Sequence, residues 1–244
     1  MKKYGLIGYP LTHSFSQKYF REKFEREHIA DCDYLNFPLE SIEQFPSLLQ
    51  EHPELCGLNV TIPYKEKVIS YLDELDTTAS DTGAVNCIKI QDAKRIGYNT
   101  DTYGFEMSIK PFLENKYERA LILGTGGASK AVAYVLKKWN IAFHYATRTP
   151  SAANHLSYND LNAGNIQYFP LIINTTPLGT FPNINECPEL PYEALTEKHF
   201  LYDLVYNPAE TLFLKKGKAQ GAHTMNGLKM LELQAERGWQ IWNS

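Results

Sequence analysis

The segment ALILGTGGASKAVAYVLKKW (residues 120–139) reads as strand, glycine turn and helix in succession. Residues 120–123 form a compact apolar run that fits a buried strand, and Gly124, Thr125, Gly126, Gly127 and Ala128 follow as a turn. Beyond the turn, Ala128, Ala131, Val132, Val135, Leu136 and Trp139 recur at the spacing of an apolar helical stripe packed on a sheet. Glycines at such a corner permit the tight bend and let backbone N–H groups at the helix terminus approach a pyrophosphate. Ser129 stands where a third Gly or Ala is usual, so the motif also admits a tight βα corner without a ligand. The next strand, at residues 141–147, ends in Thr147, Arg148 and Thr149. A site for NAD places an acidic residue there, on the ribose hydroxyls, whereas a cation suits a 2′-phosphate. Taken alone, Arg148 is equally a solvated surface charge.

Outward from this unit the chain keeps an α/β rhythm. Towards the N-terminus, strands are expected at residues 4–7, 34–37 and 55–62, the last ended by Pro63, with a helix at 17–27. Val68, Ile69, Leu72 and Leu75 have helical spacing and predict a second helix over 65–75. Residues 84–90 and 94–98 suggest a hairpin joined at Gln91, Asp92 and Ala93. Residues 110–118 are polar and contain a proline; Leu171–Asn174 and residues 200–205 supply later strands, and Leu228–Trp242 is helical. The 244 residues correspond to one large or two modest domains at about 150 residues each. Any boundary near residues 99–103 must be a short connection, because no long linker, repeat or low-complexity tract is visible.

Composition narrows the function. Hydrophobic residues make up 43% and charged residues 21% of the chain, enough to bury a core and inconsistent with a disordered or collagenous protein. The net charge of −4 provides no footprint for nucleic acid, which leaves a small molecule as the expected partner. The cysteines at 32, 56, 87 and 187 and the seven histidines lack metal-ligand spacing, so reduced thiols and no metal are expected. The apolar run after Lys2 and Lys3 is broken by Gly8, Pro10, Thr12 and His13, and no apolar stretch approaches the ~20 residues that cross a bilayer. A cytoplasmic protein without membrane attachment is the expectation.

A second corner carries chemistry. Asn59-Val60-Thr61-Ile62-Pro63-Tyr64-Lys65 puts polar side chains at the carboxyl end of a strand, where open α/β sheets bind ligands. A lysine there can act as general acid or base toward a carbonyl or alcohol if a neighbour holds it, and Asp101 is the obvious partner. Spacing alone leaves Lys65 equally readable as a solvated lysine of a first helical turn.

Together these segments resemble the shikimate dehydrogenase family over nearly the whole chain. The resemblance rests on Ile7-Gly8-Tyr9-Pro10 with His13-Ser14-Phe15-Ser16, on the 59–65 corner, on Gly83-Ala84-Val85-Asn86, and on Asn99-Thr100-Asp101-Thr102-Tyr103-Gly104. It continues through Gly124–Ala128, Thr147-Arg148-Thr149, Asn174-Thr175-Thr176-Pro177-Leu178-Gly179, Asp203-Leu204-Val205-Tyr206-Asn207-Pro208, and Asn226-Gly227-Leu228 running to Gln234. The resemblance implies reduction of 3-dehydroshikimate to shikimate with NADPH, a step towards chorismate and the aromatic amino acids. It implies an α/β fold of two domains with a cleft between them: a substrate domain from residues 1–100 with 228–244, and a Rossmann-like NADP-binding domain from 101–227. Hinges near Asp101 and Gly227 would let them close.

By the same resemblance, Lys65 and Asp101 form the catalytic pair. Ser14 and Ser16 bond the substrate carboxylate with Tyr206 closing over it, and Thr61, Asn86, Asp101 and Gln234 hold the ring hydroxyls and the reacting oxygen. Gly124, Thr125, Gly126, Gly127 and Ala128, with Thr147, Arg148, Thr149, Leu204 and Gly227, hold the dinucleotide. The chain departs from the family in places. NADPH-preferring members carry Asn before the arginine and a second basic residue four positions after it, where this chain has Thr147 and Ala152. Lys130 is a candidate to compensate. Gln17, Cys87 and Thr180 replace a frequent Pro, Thr and Met. A quinate/shikimate dehydrogenase using NAD is therefore the nearest alternative, and a nonenzymatic nucleotide-binding regulator, which would lack Lys65 or Asp101, a more distant one. The family includes both monomers and homodimers.

Overall fold

The computed structural model describes residues 1–11, 15–113 and 117–244. They form two compact units, residues 1–103 with 234–244, and residues 104–233. The division falls within two helices, three residues beyond the expected boundary at 100 and six beyond that at 227.

The first unit contains β1 (Lys2–Gly8), α1 (Phe15–Arg26), β2 (Cys32–Pro38), α2 (Phe45–Glu51), β3 (Leu55–Val60), β4 (Glu74–Leu75), α3 (Thr77–Thr82), β5 (Cys87–Gln91), β6 (Lys94–Tyr98) and the start of α4 (Thr100–Leu113). Its sheet has the order β2-β1-β3-β5-β6-β4; β1 pairs in parallel with β2 and β3, while β5 runs antiparallel to both β3 and β6. Alternation along β1 sends Tyr4 and Leu6 into a cluster with Phe20, Tyr34 and Trp242, and Ile7 into another with Phe45, Leu58 and Ile88. The first cluster is aromatic: Tyr4 stacks on Trp242 with centroids 4.9 Å apart, and Phe20 on Tyr34 at 4.6 Å.

The helix expected over 65–75 is a correction. Only a 3-10 turn at Lys67–Tyr71 forms; Leu72 is extended and Glu74–Leu75 becomes β4, paired with β6. Here bonds to β6 override helical periodicity. Asp73 N donates to Arg95 O and Asp76 N to Gly97 O, both at 2.9 Å, and the Asp73 carboxylate takes the Arg95 guanidinium at 2.7 and 2.8 Å. Asp76 then accepts from Ala79 N at 2.8 Å and starts α3, a short helix without a periodic signal in the sequence. The strand expected to reach Ile62 ends at Val60, and α4 runs through Pro111 instead of stopping before it.

The second unit holds the rest of α4, then β7 (Arg119–Leu123), α5 (Gly127–Lys138), β8 (Ala142–Thr147), β9 (His155–Ser157), β10 (Leu171–Asn174), β11 (Phe200–Asp203), α6 (Leu212–Ala219), β12 (His223–Met225) and the start of α7 (Leu228–Trp242). All its strands are parallel, in the order β12-β11-β10-β7-β8-β9, the Rossmann arrangement 3-2-1-4-5-6 read from its other edge. Such sheets are covered on both faces, and β10 and β11 are buried throughout. Ile122, Ile173 and Tyr202 pack on Phe105 and Ile109 of α4 and Val132 of α5; Leu121, Ile172 and Leu201 pack on Phe213 and Leu214 of α6.

Candidate active site

In the first unit four of the expected residues meet. Lys65 Nζ donates to Asp101 Oδ2 at 2.6 Å, and Asn86 Nδ2 donates to Asp101 Oδ1 at 2.8 Å, so each carboxylate oxygen has its own donor. Asn86 Nδ2 also reaches Gln234 Oε1 at 3.3 Å and Thr100 Oγ1 at 3.0 Å, while Asn86 Oδ1 accepts from Thr100 N at 2.6 Å. Backbone bonds fix the pieces: Val85 N donates to Lys65 O at 2.7 Å, Asn86 N to Tyr98 O at 3.1 Å, and Val60 N to Asn86 O at 2.9 Å. Asn99 aims Asp101 by anchoring the start of α4, its Nδ2 on Ala84 O at 2.9 Å and its Oδ1 accepting from Thr102 N at 3.3 Å. The Lys65 side chain is 17% exposed and that of Asp101 9%. An ammonium has three protons to donate. With one on Asp101, Lys65 can present another to a ligand oxygen.

Ser16 lies in the first turn of α1 and hydrogen-bonds the Tyr34 phenol, which donates to Asn59 Oδ1 at 2.7 Å. Burial drives the Tyr34 phenol well above its ordinary pKa, partly countered by the Ser16 bond. Asn59 Nδ2 in turn reaches Asn86 O at 3.4 Å, which links this group to the Lys65 cluster. Sequence reasoning missed Tyr34, because a tyrosine in an apolar strand reads as core. Thr61, half-buried on the same corner as Lys65, is pinned by its N–H to Ile7 O at 2.9 Å. Gln17 is tied to β2, accepting from Asn36 Nδ2 at 3.1 Å. Ser14 lies outside the described residues.

In the second unit the glycine turn joins β7 to α5. Gly124 has φ +96°, a left-handed conformation, and a Cβ there would come within 2.9 Å of Thr176 Cγ2. Gly126 is the extended N-cap of the 12-residue α5 with no side chain capping it, and a Cβ built on it meets nothing within 4 Å. Gly127 and Ala128 open the helix, and Thr125 is exposed. Ser129 turns inward, its hydroxyl donating to Gly126 O at 2.7 Å, so a serine serves where a small apolar residue is usual. These features suit a pyrophosphate at a helix N-terminus.

At the end of β8, Thr147 Oγ1 accepts from Thr149 N at 3.4 Å and Arg148 is exposed. Thr147 pairs with Ser157 across β8 and β9, which brings Arg148 beside Tyr158. Burial pushes the Tyr158 phenol up to about 12, with Arg148 pulling the other way. Leu204 and Gly227 adjoin: Gly227 N donates to Val205 O at 3.1 Å, and a Cβ on Gly227 would collide with Leu204 O. Tyr206 is half-buried just beyond β11, its phenol raised by burial. Among the described residues no group of three or more His, Cys, Asp or Glu side chains could hold a metal ion.

A Rossmann-type parallel sheet with an open glycine turn, together with a second α/β unit carrying a Lys–Asp pair, defines a two-unit α/β dehydrogenase. Residues 6–88 match the family model for the shikimate dehydrogenase substrate binding domain. A protein named shikimate dehydrogenase (NADP(+)) from Carboxydothermus hydrogenoformans is 39% identical over 98% of this chain and 90% of its own length. A chorismate mutase/shikimate 5-dehydrogenase fusion protein from Clostridium acetobutylicum superposes with a TM-score of 0.88 at 34% identity, covering 100% of this chain and 91% of that one. A shikimate 5-dehydrogenase from Thermus thermophilus, in complex with NADP(H) and shikimate, gives 0.87 at 29% identity over 99% and 93% of the two chains. This chain belongs to the shikimate dehydrogenase family.

Proposed function

We propose that the protein reduces 3-dehydroshikimate to shikimate with NADPH, with Lys65 and Asp101 managing the proton. The observation that carries this is the 2.6 Å contact of Lys65 Nζ with Asp101 Oδ2, braced by Asn86 at 2.8 Å on the other oxygen. As the ketone is reduced, negative charge develops on its oxygen; the Lys65 ammonium stabilises that charge and gives up a proton. Asp101 orients the ammonium, and Asn86 keeps the carboxylate from rotating away. Asn86, Gln234 and Thr61 bond the ring hydroxyls, and Ser16, with Ser14, takes the substrate carboxylate. Gly124 to Ala128, Thr147 to Thr149, Leu204 and Gly227 hold the dinucleotide, and the bound nicotinamide supplies the hydride. The enzyme works in the cytoplasm on small molecules, as monomer or homodimer and without nucleic acid. The net charge of −4 and the free state of all four cysteines support that setting, and no helix among the described residues is long and apolar enough to cross a membrane.

Ala152, exposed where family members that prefer NADPH have a second cation, favours a second reading: a quinate/shikimate dehydrogenase that accepts NAD. The intact Lys65–Asp101 pair weighs against a nonenzymatic regulator. Initial rates of nicotinamide reduction with shikimate or quinate, each with NADP and NAD, test the reading. Fast turnover confined to shikimate with NADP is expected. Comparable rates with NAD or quinate would move the assignment to the second reading, and no turnover with any pair would overturn both.

A further inference from the structure

We infer that Asp203 is a positioning residue for the dinucleotide: its buried carboxylate ties the segments that follow β10 and β11 into one cradle beside the Gly124 turn. This rests on the second unit being the dinucleotide-binding one. Asp203 ends β11 and is fully buried. A carboxylate in that position must be satisfied by donors, and among the described residues it has three, all neutral. Asn174 Nδ2 and Val205 N donate to Oδ1 at 2.9 and 3.0 Å, and Thr211 Oγ1 donates to Oδ2 at 2.5 Å. Among the described residues no ion pair includes it.

Each donor leads to a different part of the cradle. Asn174 passes the constraint on, its Oδ1 accepting from Thr176 N at 3.0 Å and Thr176 Oγ1 at 2.7 Å. Thr175, between them, donates from N and Oγ1 to Leu123 O at 3.0 and 2.6 Å, immediately before Gly124. The same short stretch therefore forms the wall that a Cβ on Gly124 would strike. Val205 N fixes the backbone just past Leu204, and Val205 O receives Gly227 N at 3.1 Å. Thr211 is the N-cap of α6, accepting from Leu214 N at 3.4 Å. Three regions expected to touch the dinucleotide, the Gly124 turn, Leu204 and Gly227, thus converge on one carboxylate. An apolar side chain there would carry no buried charge, yet it would leave Asn174 and Val205 unpaired and the cradle untied.

The test is a separation of binding constants in the full-length protein. NADPH and shikimate affinities are measured by fluorescence and calorimetry, with steady-state kinetics, for wild type, Asp203→Ala and Asp203→Asn. For Asp203→Ala, the Kd and KM for NADPH are expected to rise tenfold or more, while the shikimate Kd and kcat at saturating NADPH stay within twofold. Asp203→Asn keeps an oxygen for Asn174 and Val205 and offers its amide to Thr211, so it should recover most of the affinity. If Asp203→Ala fails to fold, Thr211→Val, which removes only the Oδ2 donor, should raise the NADPH Kd severalfold with the same split. A folded Asp203→Ala with wild-type NADPH affinity, or variants in which both ligands and kcat decline together, would overturn the inference. Wild-type protein that binds neither NADPH nor NADH would instead overturn the functional reading beneath it.

Discussion

Asp101 and Asp203 are both buried carboxylates at the ends of sheet strands or just beyond them, and they are satisfied in opposite ways. One Asp101 oxygen accepts from an ammonium and the other from an amide N–H, with Lys65 partly open to solvent. Asp203 accepts from three neutral donors and, among the described residues, from no cation, and is fully enclosed. The consequence appears in proton affinity: burial raises the Asp203 carboxyl from 3.8 to about 6, because dipoles offset only part of the lost hydration. A carboxylate braced by dipoles holds backbone in place. One braced against a cation that also reaches solvent can take part in proton transfer, since its partner has protons to spare.

The sharpest way to break this contrast is Asp101→Asn. It preserves shape and the bond to Asn86 but removes the charge that holds Lys65, so kcat should fall by about 10²–10⁴, the span of general acid–base contributions, with NADPH affinity unchanged. A loss smaller than tenfold in steady-state assays would erase the distinction between the two carboxylates. Next in size is Arg148→Ala in the second unit. Losing a charged hydrogen bond to the 2′-phosphate costs about 1.5–3 kcal/mol, so the NADPH Kd should rise roughly tenfold to hundredfold while NADH binding is unaffected. Equal weakening of both cofactors would show that Arg148 does not read the phosphate. Adding a cation by Ala152→Arg should improve the NADPH-to-NADH affinity ratio by about tenfold, within the range of one charged hydrogen bond. An unchanged ratio would mean that residue 152 lies out of reach.

The smallest effect concerns stability and pH. With its folded pKa raised to about 6, Asp203 stabilises the fold fully below about 3.8 and loses that contribution as pH rises through 6. Against Asp203→Asn, which does not titrate, wild type should gain about 1 kcal/mol between pH 7 and pH 5. Denaturant unfolding of both proteins at the two pH values measures this, and a parallel response would show that burial does not perturb Asp203.

In the second unit the Rossmann corner was legible in the sequence, because residues 120–139 carry both the apolar period and the glycines it requires, and the structure follows them closely, whereas α4, β9, α6 and β12 went unread. Leu171–Asn174 and Leu228–Trp242 likewise have the limits their apolar patterns suggest. The first unit was harder. Residues 65–75 have helical spacing, yet Asp73 and Asp76 are claimed by β6, and no local pattern announces a partner twenty residues away. The Lys65–Asp101 pair was legible only as two polar residues in suitable places; Asn86, which fixes the geometry between them, entered through family resemblance. Tyr34 and Asp203 escaped notice as site residues because their importance lies in what they hold: Ser16 and Asn59 for one, the Asn174 and Val205 segments for the other.

In the proposed reaction Lys65 supplies the proton to the oxygen of the reduced ketone. Turnover of 3-dehydroshikimate with NADPH, both saturating, in wild type and Lys65→Met tests it most directly, because methionine keeps much of the side-chain volume and removes the ammonium. The expected result is a kcat lower by about 10²–10⁴ with the NADPH KM unchanged. A Lys65→Met enzyme that turns over within tenfold of wild type would show that Lys65 is not the proton donor.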